Sequence, residues 1–87
     1  MYYDRLVLSA RFLRDIVSAD FTPQDSRDIL QALRVLDGQD DTPVVAVHRL
    51  EGDRTGAFAA EVSPTVRVTF EHLDGGQLQM LTCEKLA

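Results

Sequence analysis

The spacing of apolar residues changes once along this chain, and that change constrains the fold more than any other feature. Before Gly38, apolar residues recur three or four positions apart, which is the period of an amphipathic helix. After the polar stretch Gly38–Pro43 they alternate with polar residues, which is the period of a β-strand. The chain is therefore predicted to form helices first and a sheet second, in an α+β arrangement.

Two helices are predicted before this change. The first spans Ala10–Ala19, and the second has the clearest boundary signals in the sequence. Thr22 can cap its N-terminus, Pro23 suits its first position, Asp25 lies near the positive end of the helix dipole, and Gly38 follows as its C-terminal stop. Only a few residues connect the two helices, so they are predicted to form a helical hairpin.

Five strands are predicted, one before the helices over Asp4–Ser9 and four after them. The predicted bounds of the later strands are Val44–Leu50, Ala57–Val62, Val66–His72 and Gln77–Cys83. Their short connections predict an antiparallel meander. The dipeptide Asp74-Gly75 predicts a two-residue hairpin turn before the last strand, with positive φ at both central residues.

Alternation along Val66–His72 also assigns the two faces of the sheet. The apolar set is Val66, Val68 and Phe70, and the intervening set is Arg67, Thr69 and Glu71. The helices are expected to cover the apolar set. Arg67, Thr69 and Glu71 are then expected to be exposed to water, with Glu61 and the small alanines of the preceding strand, on an open sheet face where a ligand can lie.

The size and composition of the chain exclude several classes of protein. Eighty-seven residues predict a single domain over 1–87. No apolar run approaches the roughly 18 residues that span a bilayer. The single cysteine, Cys83, excludes an internal disulfide and a multi-cysteine zinc site, which favours a reducing cytoplasm. The two histidines are far apart and no acidic cluster has ligand spacing, so we expect neither a metal nor another cofactor.

Two short stretches go beyond generic patterning. One reads His48-Arg-Leu-Glu-Gly-Asp-Arg-Thr-Gly56, and the other reads Val66-Arg67-Val-Thr-Phe70. With the order of elements, Phe58 and the Asp74-Gly75 dipeptide, they resemble the RelE/HigB superfamily of toxins from bacterial type II toxin–antitoxin modules. Members of that family often read H-x-L-K-G-D-R-x-G, then an aromatic strand, then x-R-I-x-F and a D-G hairpin.

The resemblance implies both a fold and a function. It implies that the N-terminal strand pairs beside a later strand of the sheet. It also implies a toxin that binds the ribosome and cuts messenger RNA there, while a cognate antitoxin keeps it silent in a heteromeric complex. Such cleavage needs positive charge beside the phosphate and a group that transfers protons.

The resemblance also assigns candidate site residues. Arg67 matches the strand arginine that holds the scissile phosphate, and Arg54 matches a basic loop residue at the edge of the site. Lys85 is the substitute for a catalytic residue that the family places just past the last strand. Arg49 and His48, at the start of the first motif, are the candidates for substrate binding.

Departures from the family pattern keep a second hypothesis open. Ala59, Ala60 and Glu61 occupy a strand that usually carries basic residues, Glu51 occupies a position that is often lysine, and the net charge is −5. The alternative is a catalytically weak or silent relative that binds proteins. Because the net charge is −5, a hydrophobic groove beside the helices becomes the expected antitoxin contact under either hypothesis. Strand addition at an unpaired sheet edge, by a partner or a second copy, is another route. A positive open face would favour RNA, and a neutral or acidic one would favour a protein partner.

Each candidate also has a purely structural interpretation. Arg67 can pair with Glu61 or Glu71 on the same face, which contributes at most about 1 kcal/mol. His48 follows the alternation of Val44 and Ala46, which predicts a half-buried structural histidine. An unrelated small α+β interaction domain that shares the pattern by chance is the third possibility.

Overall fold

Two helices lie on one face of a five-stranded sheet. The computed structural model describes residues 3–39, 46–50 and 56–86. The elements in chain order are β1 (Leu6–Leu8), α1 (Ala10–Ile16), α2 (Pro23–Leu36), β2 (Ala46–Arg49), β3 (Ala57–Ser63), β4 (Val66–His72) and β5 (Leu78–Lys85). The predicted α+β order is confirmed. Neither helix in the described ranges is long and apolar enough to cross a lipid bilayer.

The strands form one mixed sheet in the order β1-β5-β4-β3-β2. Successive strands from β2 to β5 pair antiparallel with one another, which confirms the predicted meander. Strand β1 pairs in parallel with β5, with Leu6 opposite Leu78 and Leu8 opposite Met80. The N-terminal strand therefore lies beside a later strand, as the resemblance implied.

The boundaries of α2 follow from its capping residues. The Thr22 hydroxyl accepts a hydrogen bond from the Asp25 N–H at 3.1 Å, and the Asp25 carboxylate accepts one from the Thr22 N–H at 2.9 Å. Pro23 is the first helical residue, and Gly38 follows the helix with a φ of +81°. In contrast, α1 ends at Ile16, three residues before the predicted boundary.

The core lies between the helices and one face of the sheet. Phe12 of α1 is fully buried, and Ile29 and Leu33 of α2 are almost fully buried. They pack against the sheet residues Val66, Val68, Phe70, Met80 and Cys83. The predicted assignment of faces is thus confirmed, and Arg67 lies on the face away from the helices.

A β-bulge in β5 determines which residues of its second half reach the open face. Thr69 pairs with Thr82, whereas the next residue, Phe70, pairs with Met80, so Leu81 is an extra residue in β5. An inserted residue reverses the faces of the residues beyond it. As a result Glu84 lies on the open face, and Lys85 lies on the helix side with Cys83.

The hairpin between β4 and β5 differs from the predicted two-residue turn. Asp74–Gly76 form a short 3-10 turn, closed by a hydrogen bond of 2.8 Å from the Leu73 N–H to the Gln77 carbonyl. Gly75 and Gly76 both have a φ of +79°, whereas Asp74 does not have a positive φ. The prediction of positive φ at Asp74 was wrong, because the adjacent Gly76 adopts this conformation without a Cβ penalty.

Asp37 at the C-terminal end of α2 fastens the segment that precedes β1. Its carboxylate accepts hydrogen bonds from the backbone N–H groups of Arg5 at 2.6 Å and Asp4 at 3.2 Å. Burial alone would raise the pKa of Asp37, but hydrogen bonds from Gln39 and these backbone groups outweigh it and lower the pKa. The helix end and the first strand are therefore joined through one ionised side chain.

Candidate functional site

The guanidinium of Arg67 lies on the open face and binds a carboxylate of the neighbouring strand. Its Nε and Nη2 donate hydrogen bonds of 2.9 and 2.7 Å to Oε2 of Glu84. The two side chains keep 30% and 26% of their surface exposed. The partner is Glu84, not Glu61 or Glu71, so Arg67 is accessible to an anion but its charge is already balanced.

The described part of the open face is acidic. It carries one permanent cation, Arg67, and three carboxylates, Glu61, Glu71 and Glu84. Glu61 pairs directly with Arg67 from β3, and Glu84 pairs with it from β5. Phosphate groups would meet a single guanidinium on a face with three negative charges, two of them on the strands beside Arg67, which weakens any electrostatic attraction of RNA to this surface.

The short side chains at the centre of the open face are buried. The hydroxyls of Thr69 and Thr82 share a hydrogen bond of 2.5 Å, and Thr69 keeps only 1% of its surface exposed. Ala59, opposite Thr69, is fully buried. The expectation that Thr69 and the small alanines of the preceding strand are exposed to water was wrong, because a short side chain in the middle of a sheet lies below its longer neighbours.

His48 lies on the same face as Arg67 but at the edge of the sheet. It pairs with Ala59 from β2, and its side chain is exposed. The expectation of a half-buried histidine was therefore wrong. Strand β2 is the outermost strand, and within the described residues only β3 pairs with it. Val44, part of the pattern behind that expectation, lies outside the described residues.

Arg49 lies on the opposite face, because consecutive residues of a strand alternate. Its guanidinium carbon is 5.7 Å from the centre of the Phe58 ring, within the range of a cation–π contact. The same ring meets the edge of His72 at a centroid distance of 4.9 Å. Arg49 therefore does not join Arg67 in one site, although the sequence motif places it beside His48.

Lys85 also lies away from Arg67, on the helix side of the sheet. Its ammonium group binds Oδ2 of Asp25 at the N-terminus of α2. The hydrogen bond from Lys85, followed by that from the backbone of Thr22, holds the pKa of Asp25 below its usual value, although burial opposes this shift. Lys85 thus fastens α2 to β5, and its expected role as a catalytic residue beside Arg67 does not fit this position.

Two of the remaining residues of interest cannot be placed, and the third adds no reactive group to the open face. Arg54 and Glu51 lie outside the described residues. Cys83 is buried on the helix side, and this burial, with the negative charge of Asp15, raises the pKa of its thiol to about 12. No group of three or more potential metal ligands occurs among the described residues.

Sequence reasoning missed Glu84 because it ended the last strand at Cys83. A signal was present in the apolar pattern of β5, where Leu78 and Met80 alternate but Leu81 follows Met80 directly. Two adjacent apolar residues inside an alternating strand are typical of a bulge. A bulge at this point of β5 predicts that Glu84, and not Lys85, lies on the same face of the sheet as Arg67.

Comparison with known proteins finds similar structures but no similar sequences. No family model matches the chain, and no curated protein matches it in sequence. Solved structures do match. The toxin–antitoxin complex RelBE2 from Mycobacterium tuberculosis aligns with a TM-score of 0.71 and 16% identity, over 93% of this chain and 95% of that chain. The chain has the RelE-type toxin fold.

Other structures with the RelE-type fold align over similar lengths. YafQ from E. coli strain BL21(DE3) gives a TM-score of 0.69 and 21% identity, over 97% of this chain and 93% of its own. The YoeB–YefM complex from Staphylococcus aureus gives 0.68 and 12%, over 95% and 97%. The RelE-type fold therefore accounts for nearly the whole chain, and the predicted fold is confirmed.

Proposed function

We propose that this chain is the toxin component of a type II toxin–antitoxin system and acts as a ribosome-dependent mRNA endonuclease. One observation carries the proposal. The RelE-type fold covers nearly the whole chain, and its open sheet face carries the guanidinium of Arg67. The partners would be the ribosome, its bound message and a cognate antitoxin, and the reaction would occur in the cytoplasm. The neighbours RelBE2 and YoeB–YefM are themselves toxin–antitoxin complexes.

In the proposed reaction the ribose 2′-hydroxyl attacks the adjacent phosphorus, and the bond to the 5′-oxygen of the next nucleotide breaks. Negative charge builds on the equatorial phosphate oxygens in the transition state. Arg67 would donate hydrogen bonds to those oxygens from the same two N–H groups that now donate to Glu84. Glu84 must therefore release Arg67 when the phosphate binds.

The remaining roles go to residues near the same face. His48 is exposed on that face and is the candidate for proton transfer, because an imidazole ring offers both a donor and an acceptor nitrogen. Arg54, which lies outside the described residues, would support binding of the RNA, as the family motif implies. Arg49 and Lys85 take no part in this proposal, because both lie on the helix side.

The test uses a reconstituted translation reaction with a defined message, in which primer extension maps new 5′ ends. The wild-type chain should cut ribosome-bound message and arrest growth when expressed. Arg67→Ala should lower the cleavage rate about 100- to 1,000-fold, as loss of one transition-state donor does. Arg11→Gln is the matched control, since Arg11 is an exposed arginine on α1 that pairs with Asp15. Absence of cleavage by the wild-type chain would refute the endonuclease.

A second function is favoured by the charge of the open face. Three carboxylates on the same face as Arg67 are the property expected of a catalytically weak or silent relative that binds protein only. Glu84→Gln separates the two functions. In an endonuclease the variant should cut faster, because Arg67 is released. In a silent relative neither the wild-type chain nor the variant cuts, and both still bind the antitoxin.

A further inference from the structure

An apolar groove lies between the two helices on the surface away from the sheet. Ile16 of α1 and Ser26, Ile29 and Leu30 of α2 line a cavity of about 120 Å³. Large aliphatic side chains extend this surface, with Leu13 47% exposed, Val17 78% exposed and Leu30 40% exposed. Because large apolar residues are so exposed here, the groove has the character of a contact surface.

Arginines flank this groove on both helices. On α2, Arg27, Leu30 and Arg34 are spaced three and four residues apart, so they form one stripe along the helix. On α1, Arg14 precedes Val17 by three residues and belongs to the same exposed surface. No carboxylate among the described residues forms an ion pair with these three arginines.

The carboxylates of the helices are instead held by other partners. Asp15 accepts a hydrogen bond of 3.0 Å from the backbone N–H of Cys83 and lies 3.6 Å from Arg11. Asp25 binds Lys85, and Asp28 accepts a hydrogen bond of 2.9 Å from Gln24. The groove is therefore rimmed by positive charge, although the chain as a whole has a net charge of −5.

We propose that this groove docks an acidic amphipathic helix of a partner protein. Apolar residues one turn apart on that helix would contact Leu13, Val17 and Leu30. Carboxylates beside them would pair with Arg14, Arg27 and Arg34. A helix that matches the 14 residues of α2 would be about 21 Å long and would lie across the outer side of the two helices.

Charge and chemistry favour this occupant over the others. In a two-fold dimer each arginine rim would face the arginine rim of the second copy, and like charges repel. Single-stranded RNA is usually held by stacking on aromatic rings, whereas the groove presents Leu13, Val17 and Leu30. That the partner is the antitoxin rests on the proposed function, but the recognition of an acidic helix does not.

The experiment titrates two synthetic 14-residue peptides into the isotopically labelled full-length chain. Both carry leucines at helical spacing, with glutamates beside them in one peptide and lysines in the other. The acidic peptide should bind at least tenfold tighter and shift the backbone amides of α1 and α2. Leu30→Ser should weaken its binding about tenfold, and Arg27→Glu combined with Arg34→Glu should reverse the preference. Arg11→Gln is the control with unchanged affinity. Thermal unfolding verifies that each variant folds.

Four results would overturn the proposal. The first two are equal binding of the two peptides and resonance shifts that are confined to the open face. The third is dimerisation of the chain through the groove in the absence of peptide. The fourth is failure to bind either peptide together with binding to phosphatidylserine vesicles that Leu30→Ser abolishes. The proposed function fails separately, in the growth and cleavage assays. If the protein encoded by the adjacent reading frame binds elsewhere and still silences toxicity, the toxin assignment stands and the antitoxin is not the partner that this groove binds. If the acidic peptide binds and no RNA is cut, only the endonuclease falls.

Discussion

Glu84 lies directly opposite Arg67 on adjacent strands and binds its Nε and Nη2 through a single carboxylate oxygen, at 2.9 and 2.7 Å. The bulge at Leu81 produces this pairing. Without the extra residue, the alternation in β5 would bring the neighbouring positions of the strand to the open face. One inserted residue thus gives Arg67 an acidic neighbour and sends the nearest lysine to the opposite side of the sheet.

The pairing predicts that Glu84→Gln frees Arg67 with little loss of stability. Both side chains are partly exposed, so the free energy of unfolding should change by less than about 1 kcal/mol. Inorganic phosphate should then shift the Nε–H resonance of Arg67 at lower concentration than in the wild-type chain. Glu61→Gln is the control, because Glu61 faces Arg67 without bonding to its guanidinium. Equal effects of the two variants would contradict the role of Glu84.

The ion pair between Lys85 and Asp25 predicts a specific dependence of stability on pH. The pKa of Asp25 is lowered from 3.8 in the folded chain, so its ionised form stabilises the fold above about pH 4. This contribution is lost as the pH falls through the folded pKa. Lys85→Met removes the largest cause of the shift, so this variant should lose less free energy of unfolding than the wild-type chain as the pH falls. Urea unfolding between about pH 2 and 6 measures the free energy of unfolding of both chains.

Asp25→Asn provides the control for this prediction. In that variant the carboxylate is absent, so Lys85→Met should no longer alter the pH dependence of the free energy of unfolding. If Lys85→Met alone leaves the loss of stability at acid pH unchanged, the ion pair does not determine that loss.

Asp37→Ala should destabilise the fold by about 1–3 kcal/mol, the usual contribution of hydrogen bonds to a charged group. The substitution removes the acceptor for the N–H groups of Asp4 and Arg5 ahead of β1. Asp28→Ala is the matched control, because Asp28 is also an aspartate of the α2 region but binds only the exposed side chain of Gln24 among the described contacts. The two midpoints of urea unfolding are compared, and equal losses would refute the role of Asp37.

The two glycines of the β4–β5 hairpin should each resist substitution. Gly75→Ala and Gly76→Ala should cost about 1–2 kcal/mol, because both residues have a φ of +79°. No atom lies within 4 Å of an added Cβ, so the cost comes from the backbone conformation alone. Asp74→Ala should stay within about 0.5 kcal/mol in the same thermal unfolding assay. A cost that is equal at all three positions would refute this assignment.

Cys83 should be inert in the folded chain. Its thiol has a pKa raised to about 12 from 9.0, so the thiolate fraction at pH 8 is about a thousandfold smaller. Iodoacetamide should modify the native chain far more slowly than the chain in urea, as followed by mass spectrometry. Rapid modification of the native chain would contradict both the burial of Cys83 and the raised pKa of its thiol.

Much of the fold was predictable from the sequence because its signals are local. Thr22, Pro23 and Asp25 mark the start of α2 through contacts within four residues. The alternation of Val66, Val68 and Phe70 predicts both the bounds of β4 and its buried face. The direction of Arg67 followed from the same alternation, and the structure confirms it.

The amino-acid sequence by itself thus determined the order of helices and strands, the face that packs against the helices and the side of the sheet on which Arg67 lies, because each depends on residues close together in the chain. Only the tertiary structure decided which groups surround Arg67. The Leu81 bulge, the outer position of β2 and the docking of α2 on β5 bring Glu84 to Arg67, expose His48 and pair Lys85 with Asp25. These contacts join residues up to 60 positions apart, and the register that creates them arises from packing between strands and helices.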